Sequence, residues 1–289
     1  MVFQLKTKNQ KLKTALIKEF FVQLQKSGKV HYFGSQLLAA PGLSVQGFTS
    51  RHEGVSRPPY NSLNLGLSTL DSCHSVEGNR SLLTRAFGTR LERLVSVTQV
   101  HGADLLVLNE PNEDFSHFQK LECDGIVTNQ PEVMIGICVA DCVPILLLDP
   151  VKRVIAALHA GWKGTAQGIA GKGVDAMVTV FGSDPGAILA SIGPAIGPCC
   201  YEVDAPVAEA FRTGTMPFES FAKASGPGKW RLDLTEANRQ QLFRAGLDEK
   251  NVEASSLCVS CEKDLFFSFR RDKGETGRQM GFIMLQKQV

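Results

Sequence analysis

Short apolar runs, bounded by Gly, Pro, Asn or Asp, recur along most of the chain. That is the pattern of β-strands separated by turns. The best defined pair spans Ala140 to Trp162, where Val143–Leu148 and Val154–Leu158 flank Asp149-Pro150-Val151-Lys152. Asp followed by Pro favours a type I turn, and the two runs read as a β-hairpin. If Asp149 faces Lys152, counting back along both strands sets Cys142 directly opposite His159. Their Cβ atoms would then be roughly 4.5–5.5 Å apart.

The same reading predicts strands at Leu43–Phe48, Leu94–His101, Leu105–Leu108, Val133–Ala140, Ile188–Ile192, Leu265–Phe269 and Gly281–Leu285. Helical spacing of apolar positions predicts helices over 74–90, 166–181, 204–213 and 234–245. Arg51–Gly66 is a long irregular segment, 109–120 a polar loop, and 214–229 a Pro/Gly/Ser-rich connection. Strands outnumber helices without strict alternation. The fold class is therefore α+β with a layered sheet core, not a doubly wound sheet.

Residues 1–29 stand apart from the single domain expected over 30–289. They carry seven Lys against the single acid Glu19, and Leu12, Ala15, Leu16, Phe20 and Leu24 fall at helical spacing. Arg is absent and Ser scarce, which favours a basic surface helix over a transit peptide.

Composition narrows the class. With 43% hydrophobic and 21% charged residues, the chain resembles soluble globular proteins. A net charge of +2 gives no case for a nucleic-acid or membrane partner, and no apolar run could span a bilayer. Eight Cys without a secretory signal point to reduced thiols and a cytoplasmic location.

Three residues concentrate the chemistry. His101, Cys142 and His159 each end an apolar run beside Gly or Asp. Two imidazoles and a thiolate suit zinc with an open fourth position, where bound water acidifies towards ~7. The spacing alone equally allows a buried Cys with two hydrogen-bonded His, or a Cys142–His159 thiol nucleophile oriented by Asp141 or Gln99. Cys258-Val-Ser-Cys261 is a single CxxC, and Cys199-Cys200 cannot both point into one site from a strand; both pairs read as structural. Two Gly-rich turns, Gly161–Thr165 and Gly193–Gly197, expose backbone N–H groups that suit an anion. Arg270, Arg271 and Arg278 could add phosphate contacts.

Five ordered motifs carry a family resemblance: Gln99-Val-His-Gly102, Ala140-Asp-Cys-Val-Pro144, Leu158-His-Ala-Gly-Trp-Lys-Gly164, Gly193–Val203, and Phe267–Asp272 with Thr276-Gly-Arg278. From about Leu43 to Leu285 the chain resembles the laccase-domain family. That family is also described as multicopper polyphenol oxidases or as purine nucleoside phosphorylases, and it includes the peptidoglycan editing factor. The resemblance implies a single α+β domain, a buried sheet sandwich flanked by helices. It implies a zinc site of His101, Cys142 and His159, phosphorolysis of adenosine, inosine, guanosine and methylthioadenosine, and hydrolytic deamination of adenosine. Glu53 and Lys163 stand where the family commonly has Gly and Arg. Six His are too few for a multicopper site, so copper ranks behind zinc.

On this reading purine nucleosides and phosphate are the partners. Asp141 shuttles a proton, Arg51 and Lys163 hold phosphate, and Gln99 and Asn64 position the nucleoside by hydrogen bonds. The alternatives are a Cys142-dependent amidase that edits cell-wall precursors and a copper-dependent phenol oxidase.

Overall fold

The computed structural model describes residues 24–110, 115–214 and 216–287. Its strands in chain order are β1 (Gln25–Ser27), β2 (Val30–Phe33), β3 (Ser44–Thr49), β4 (Leu94–Val95), β5 (Leu105–Leu108), β6 (Gly125–Thr128), β7 (Met134–Val139), β8 (Val143–Asp149), β9 (Val154–Ala160), β10 (Leu189–Ile192), β11 (Glu202–Asp204), β12 (Ala222–Gly226), β13 (Lys229–Leu232), β14 (Val252–Ala254) and β15 (Gln279–Leu285). The α-helices are α1 (Gln36–Ala39), α2 (Cys73–Ala86), α3 (Trp162–Ala166), α4 (Ile169–Phe181), α5 (Ala205–Arg212) and α6 (Leu234–Arg244). One six-stranded sheet runs β1-β2-β3-β15-β7-β4 and a second runs β14-β10-β8-β9-β6-β5. A three-stranded sheet, β11-β13-β12, lies apart from both. The expected α+β sandwich is what the chain builds.

The sandwich follows from strands that are apolar on both faces. Val143, Ile145 and Leu147 of β8, with Val154, Ala156 and Leu158 of β9, pack beneath α4 against Ile169, Val174 and Met177. The alternate residues Leu146, Leu148, Ile155 and Ala157 point the other way. They meet Ile135 and Ile137 of β7 and Ile283 of β15 between the sheets. On the far side of the first sheet, Leu83 of α2 joins Leu63, Leu65 and Phe282 in a third apolar cluster. The result is four layers, helix, sheet, sheet, helix, with the β8–β9 hairpin at the centre.

The hairpin register differs from the sequence reading. Asp149 pairs with Val154, and Pro144, not Cys142, lies opposite His159. The turn takes four residues because Asp149 Oδ1 accepts from the amides of Val151 (2.8 Å) and Lys152 (3.0 Å). Arg153 then closes the loop at φ 54°. Relative to the expected pairing the register moves by two residues, which leaves every side chain on its face. Cys142 and His159 become diagonal neighbours on the face between the sheets.

Other departures have local causes. Strand β4 stops at Val95 because the amides of Val100, His101 and Gly102 turn towards Asp124. Leu265–Phe269 forms turns, with Leu265 and Phe266 both donating to Glu262 O (3.1 and 3.0 Å). The apolar character there serves burial, since Phe266 and Phe267 are fully covered. The 214–229 connection holds the β12–β13 hairpin, turned at Gly228 (φ 66°). The Gly161–Thr165 turn is the start of α3. Of the proposed basic extension, residues 1–23 lie outside the described residues, and Gln25–Ser27 is strand β1 rather than helix. No described helix is long and apolar enough to cross a membrane.

Candidate functional site

His159 is the penultimate residue of β9 and Cys142 immediately precedes β8, so the hairpin brings both to one end of the sandwich. His101 arrives from the loop between β4 and β5, held in the left-handed region at φ 62°. Asp124, just before β6, is what holds it there. Its fully buried carboxylate accepts from the amides of His101 (2.9 Å), Gly102 (2.6 Å) and Val100 (3.2 Å). The same carboxylate lies 2.7 Å from His159 Nδ1. An ionised carboxylate only accepts, so Nδ1 carries a proton, and Nε2 is the nitrogen that a metal would engage on displacing its proton.

The potential ligand atoms of His101, Cys142 and His159 lie within 4.8 Å of one another. The two imidazole centroids are 4.9 Å apart and nearly perpendicular. Gly161 makes this approach possible. A Cβ there would sit 2.9 Å from His101 Cδ2 and 3.2 Å from Cys142 Sγ. Gly164 permits the next contact, since its Cβ would lie 2.4 Å from Gly102 O.

Mutual charges set the protonation. Burial alone would raise the Cys142 thiol, but the charge of His159 and hydrogen bonds from both imidazoles bring it down to about 6. Burial opposes a charged His159, yet the Cys142 thiolate and the Asp124 carboxylate raise its pKa. Asp124 is pushed up by burial and pulled down further by His159 and the amides, so it stays ionised.

A cavity of about 540 Å³ opens over these groups, a size suited to a small-molecule ligand. Asp141, Cys142, His101 and His159 line it together with the cationic Arg80, Arg270 and Arg278, and with Tyr201 and Phe269. Asp141 stands at φ 94° and accepts from Ser268 Oγ and Arg270 N, both at 2.6 Å. Burial raises its carboxyl above the ordinary range against the pull of those two donors.

Of the four residues expected to bind substrate, Gln99 lines the cavity and Arg51, Asn64 and Lys163 do not. Arg51 is not in the cavity wall; it donates to Asn61 O and Lys263 O and stacks 4.5 Å over Phe267. Asn64 is fully buried, joining Thr69, Asp71, Gly66 and the Arg278 amide. Lys163 is solvent-exposed outside the wall, 5.6 Å from the Trp162 ring. Gln99 does line the cavity, but its amide exchanges two 2.8 Å hydrogen bonds with the backbone of Cys138. The residue that sequence reading missed is Asp124. Its signal, an acid between Cys123 and Gly125 ahead of a strand, is weak without the fold.

The donor set fits zinc. Two imidazoles and one thiolate leave an open position, and the second ring nitrogen of His159 is engaged by a carboxylate, as metal-ligating His usually are. Among the described residues the only other group of three or more candidate ligands is all-cysteine. No His-rich cluster accompanies this one among the described residues.

The chain is similar to the purine nucleoside phosphorylase YlmD of Geobacillus stearothermophilus, 42% identical over 247 residues covering 83% of this chain and 89% of that protein. The corresponding Bacillus subtilis protein, of the same name, is 37% identical over 247 residues, 84% of this chain and 89% of that one. The crystal structure of YlmD from Geobacillus stearothermophilus superposes with a TM-score of 0.84 at 39% identity, covering 93% of this chain and 99% of that one. The family described as multi-copper polyphenol oxidoreductase laccase matches residues 45–286, and the chain belongs to that family.

Proposed function

We propose that this protein is a zinc-dependent purine nucleoside phosphorylase that also deaminates adenosine hydrolytically. Adenosine, inosine, guanosine and methylthioadenosine are its expected substrates. The observation that carries the reading is the convergence of His101, Cys142 and His159 with a cationic wall in one nucleoside-sized cavity. The names borne by the relatives point the same way. Zinc held by these three residues would supply Lewis acidity at an open coordination position.

The remaining roles belong to the wall. Arg270 and Arg278 line the cavity, as Arg51 and Lys163 do not, and on this reading they would hold phosphate. A planar guanidinium suits that anion. Phe269 is half-exposed at the cavity and offers a face for a purine ring. In phosphorolysis a phosphate oxygen bonds to the anomeric carbon as the glycosidic C–N bond breaks, and the departing base takes up a proton. In deamination water adds at C6 and ammonia leaves. Asp141, a half-buried carboxyl with a raised pKa, is the group suited to hold and move the proton.

The test is elemental analysis coupled to assays for ribose 1-phosphate and for ammonia. Cys142→Ala should lose the zinc bound at the cavity and both products; retention of both activities would sink the assignment. The lowered Cys142 thiol beside His159 favours a second reading, an amidase with a thiolate nucleophile. Such an enzyme would survive chelation and succumb to iodoacetamide, the reverse of the zinc reading.

A further inference from the structure

The second cluster of metal-ligating side chains lies outside the catalytic cavity. Cys199 and Cys200 sit in a turn rather than a strand, where Cys200 N and Tyr201 N both donate to Gly197 O at 3.0 Å. In a turn, adjacent side chains can reach one point, which the strand-based reading of this pair excluded. Cys258 and Cys261 form a second turn, Cys261 N donating to Cys258 O at 3.1 Å. An isolated bridge between Ala195 and Cys258 ties the two segments together.

All four sulfurs fall within 4.8 Å of one another. Cys261 Sγ is 3.7 Å from Cys199 Sγ and 3.5 Å from Cys200 Sγ. Sulfurs at the corners of a tetrahedron with ~2.3 Å metal bonds are about 3.8 Å apart. A disulfide would need about 2.05 Å. The backbone is arranged for anionic sulfur as well. The Gly197 amide donates to Cys258 Sγ at 3.2 Å, and the amides of Ser260 and Cys261 turn towards the same atom. Arg231 reaches the Cys199 carbonyl at 3.0 Å, setting a cation beside the cluster.

We propose that Cys199, Cys200, Cys258 and Cys261 form a closed tetrathiolate site for a structural zinc ion, separate from the cavity centre. Four thiolates satisfy zinc without an open position, the pattern of structural rather than catalytic sites. Cys199 and Cys261 are exposed, which gives the ion an access path, while Cys258 is buried among Phe33, Ile196, Val259 and Phe266. Binding converts thiols to thiolates and releases their protons to solvent.

The site would brace the catalytic wall. The Cys199–Cys200 turn leads directly into Tyr201, and the Cys258–Cys261 turn leads to Ser268 and Arg270. Arg270 lies 5.0 Å over the Tyr201 ring and donates to Glu202 O, so the segments meet again at the cavity. A metal clamp at their base fixes where that wall stands. The inference does not depend on the nucleoside reading.

The test compares zinc content per chain in the wild type, Cys261→Ser and Cys73→Ser, all purified under reducing conditions with zinc. Cys73 is exposed and outside both clusters. Cys261→Ser should carry one equivalent less than the wild type, and Cys73→Ser the same amount. Cobalt loading should give thiolate-to-cobalt absorption that survives in Cys142→Ala and largely disappears in Cys261→Ser. Should Cys261→Ser fail to fold, iodoacetamide mapping of the wild type decides the matter. Zinc should slow alkylation of Cys199 and Cys261 at least tenfold, and a strong chelator should restore it. Equal labelling with and without zinc, unchanged zinc content in Cys261→Ser, or a disulfide among these residues in the intact reduced-purified protein would overturn the proposal.

Discussion

His159 Nδ1 lies 2.7 Å from Asp124 Oδ1, and both side chains are almost wholly shut off from solvent. The same carboxylate gathers three consecutive amides around His101. One acid therefore orients the ring of one imidazole and fixes the backbone of the other.

Replacing that acid should loosen the metal centre. Asp124→Asn sets an amide donor against groups that already donate. Outer-shell substitutions of this kind typically cost about 10–100-fold in metal affinity. Competition titration of zinc against a chromophoric chelator should show a loss of that order, with phosphorolysis falling in parallel. Unchanged affinity would mean that Asp124 serves folding alone.

Gly161 tests the same geometry sterically. Its backbone, at φ −71°, suits any residue, so only the close approach of His101 and Cys142 forbids a side chain. Gly161→Ala should destabilise the protein by about 1–3 kcal/mol through overpacking. It should also lower the zinc retained by His101, Cys142 and His159. Denaturant midpoints and metal content, measured together, check both effects.

The phosphate role proposed for Arg278 can be tested apart from the chemistry. This side chain lines the cavity and lies 5.6 Å from the Phe269 ring. Arg278→Lys keeps the charge but loses the planar fork. KM for phosphate should rise about tenfold or more, corresponding to roughly 1.4 kcal/mol, with a much smaller change in KM for the nucleoside. An unaltered phosphate KM would remove Arg278 from the anion seat.

A pH test lies away from both clusters. Burial raises the carboxyl of Glu253 above its ordinary value, only partly offset by hydrogen bonds from Ser35, Ser191 and Leu37. A group whose folded pKa is raised contributes stability below its unfolded pKa, and that contribution is lost as pH climbs through the folded value. Glu253→Gln has no proton to lose. Its melting temperature should exceed that of the wild type at about pH 8 and converge with it near about pH 4. A constant offset across that range would show that ionisation of Glu253 is not the cause.

The strands were legible where burial on both faces wrote continuous apolar runs, as in β7, β8 and β9. Helices α2, α4, α5 and α6 were legible from their spacing. The β12–β13 hairpin was not, because only Ala222 of β12 is buried and an exposed strand carries no apolar period. Leu265–Phe269 misled in the opposite sense, being apolar for burial rather than pairing. At the site, His101, Cys142 and His159 were visible as residue types at the ends of apolar runs. Asp124 was not, since its importance lies in three amides and an imidazole that only the folded chain brings to it. Arg51 and Asn64 looked like ligand-binding groups by chemistry, and the fold engages their donors elsewhere.

The four-residue turn at Pro150–Arg153 lies at the opposite end of two seven-residue strands from Cys142 and His159. At ~3.4 Å per residue that is a separation of about 20 Å. Val151 at the tip is 73% exposed. A fluorophore or an affinity handle spliced there would ride on the buried central hairpin while leaving the end that carries Cys142 and His159 untouched.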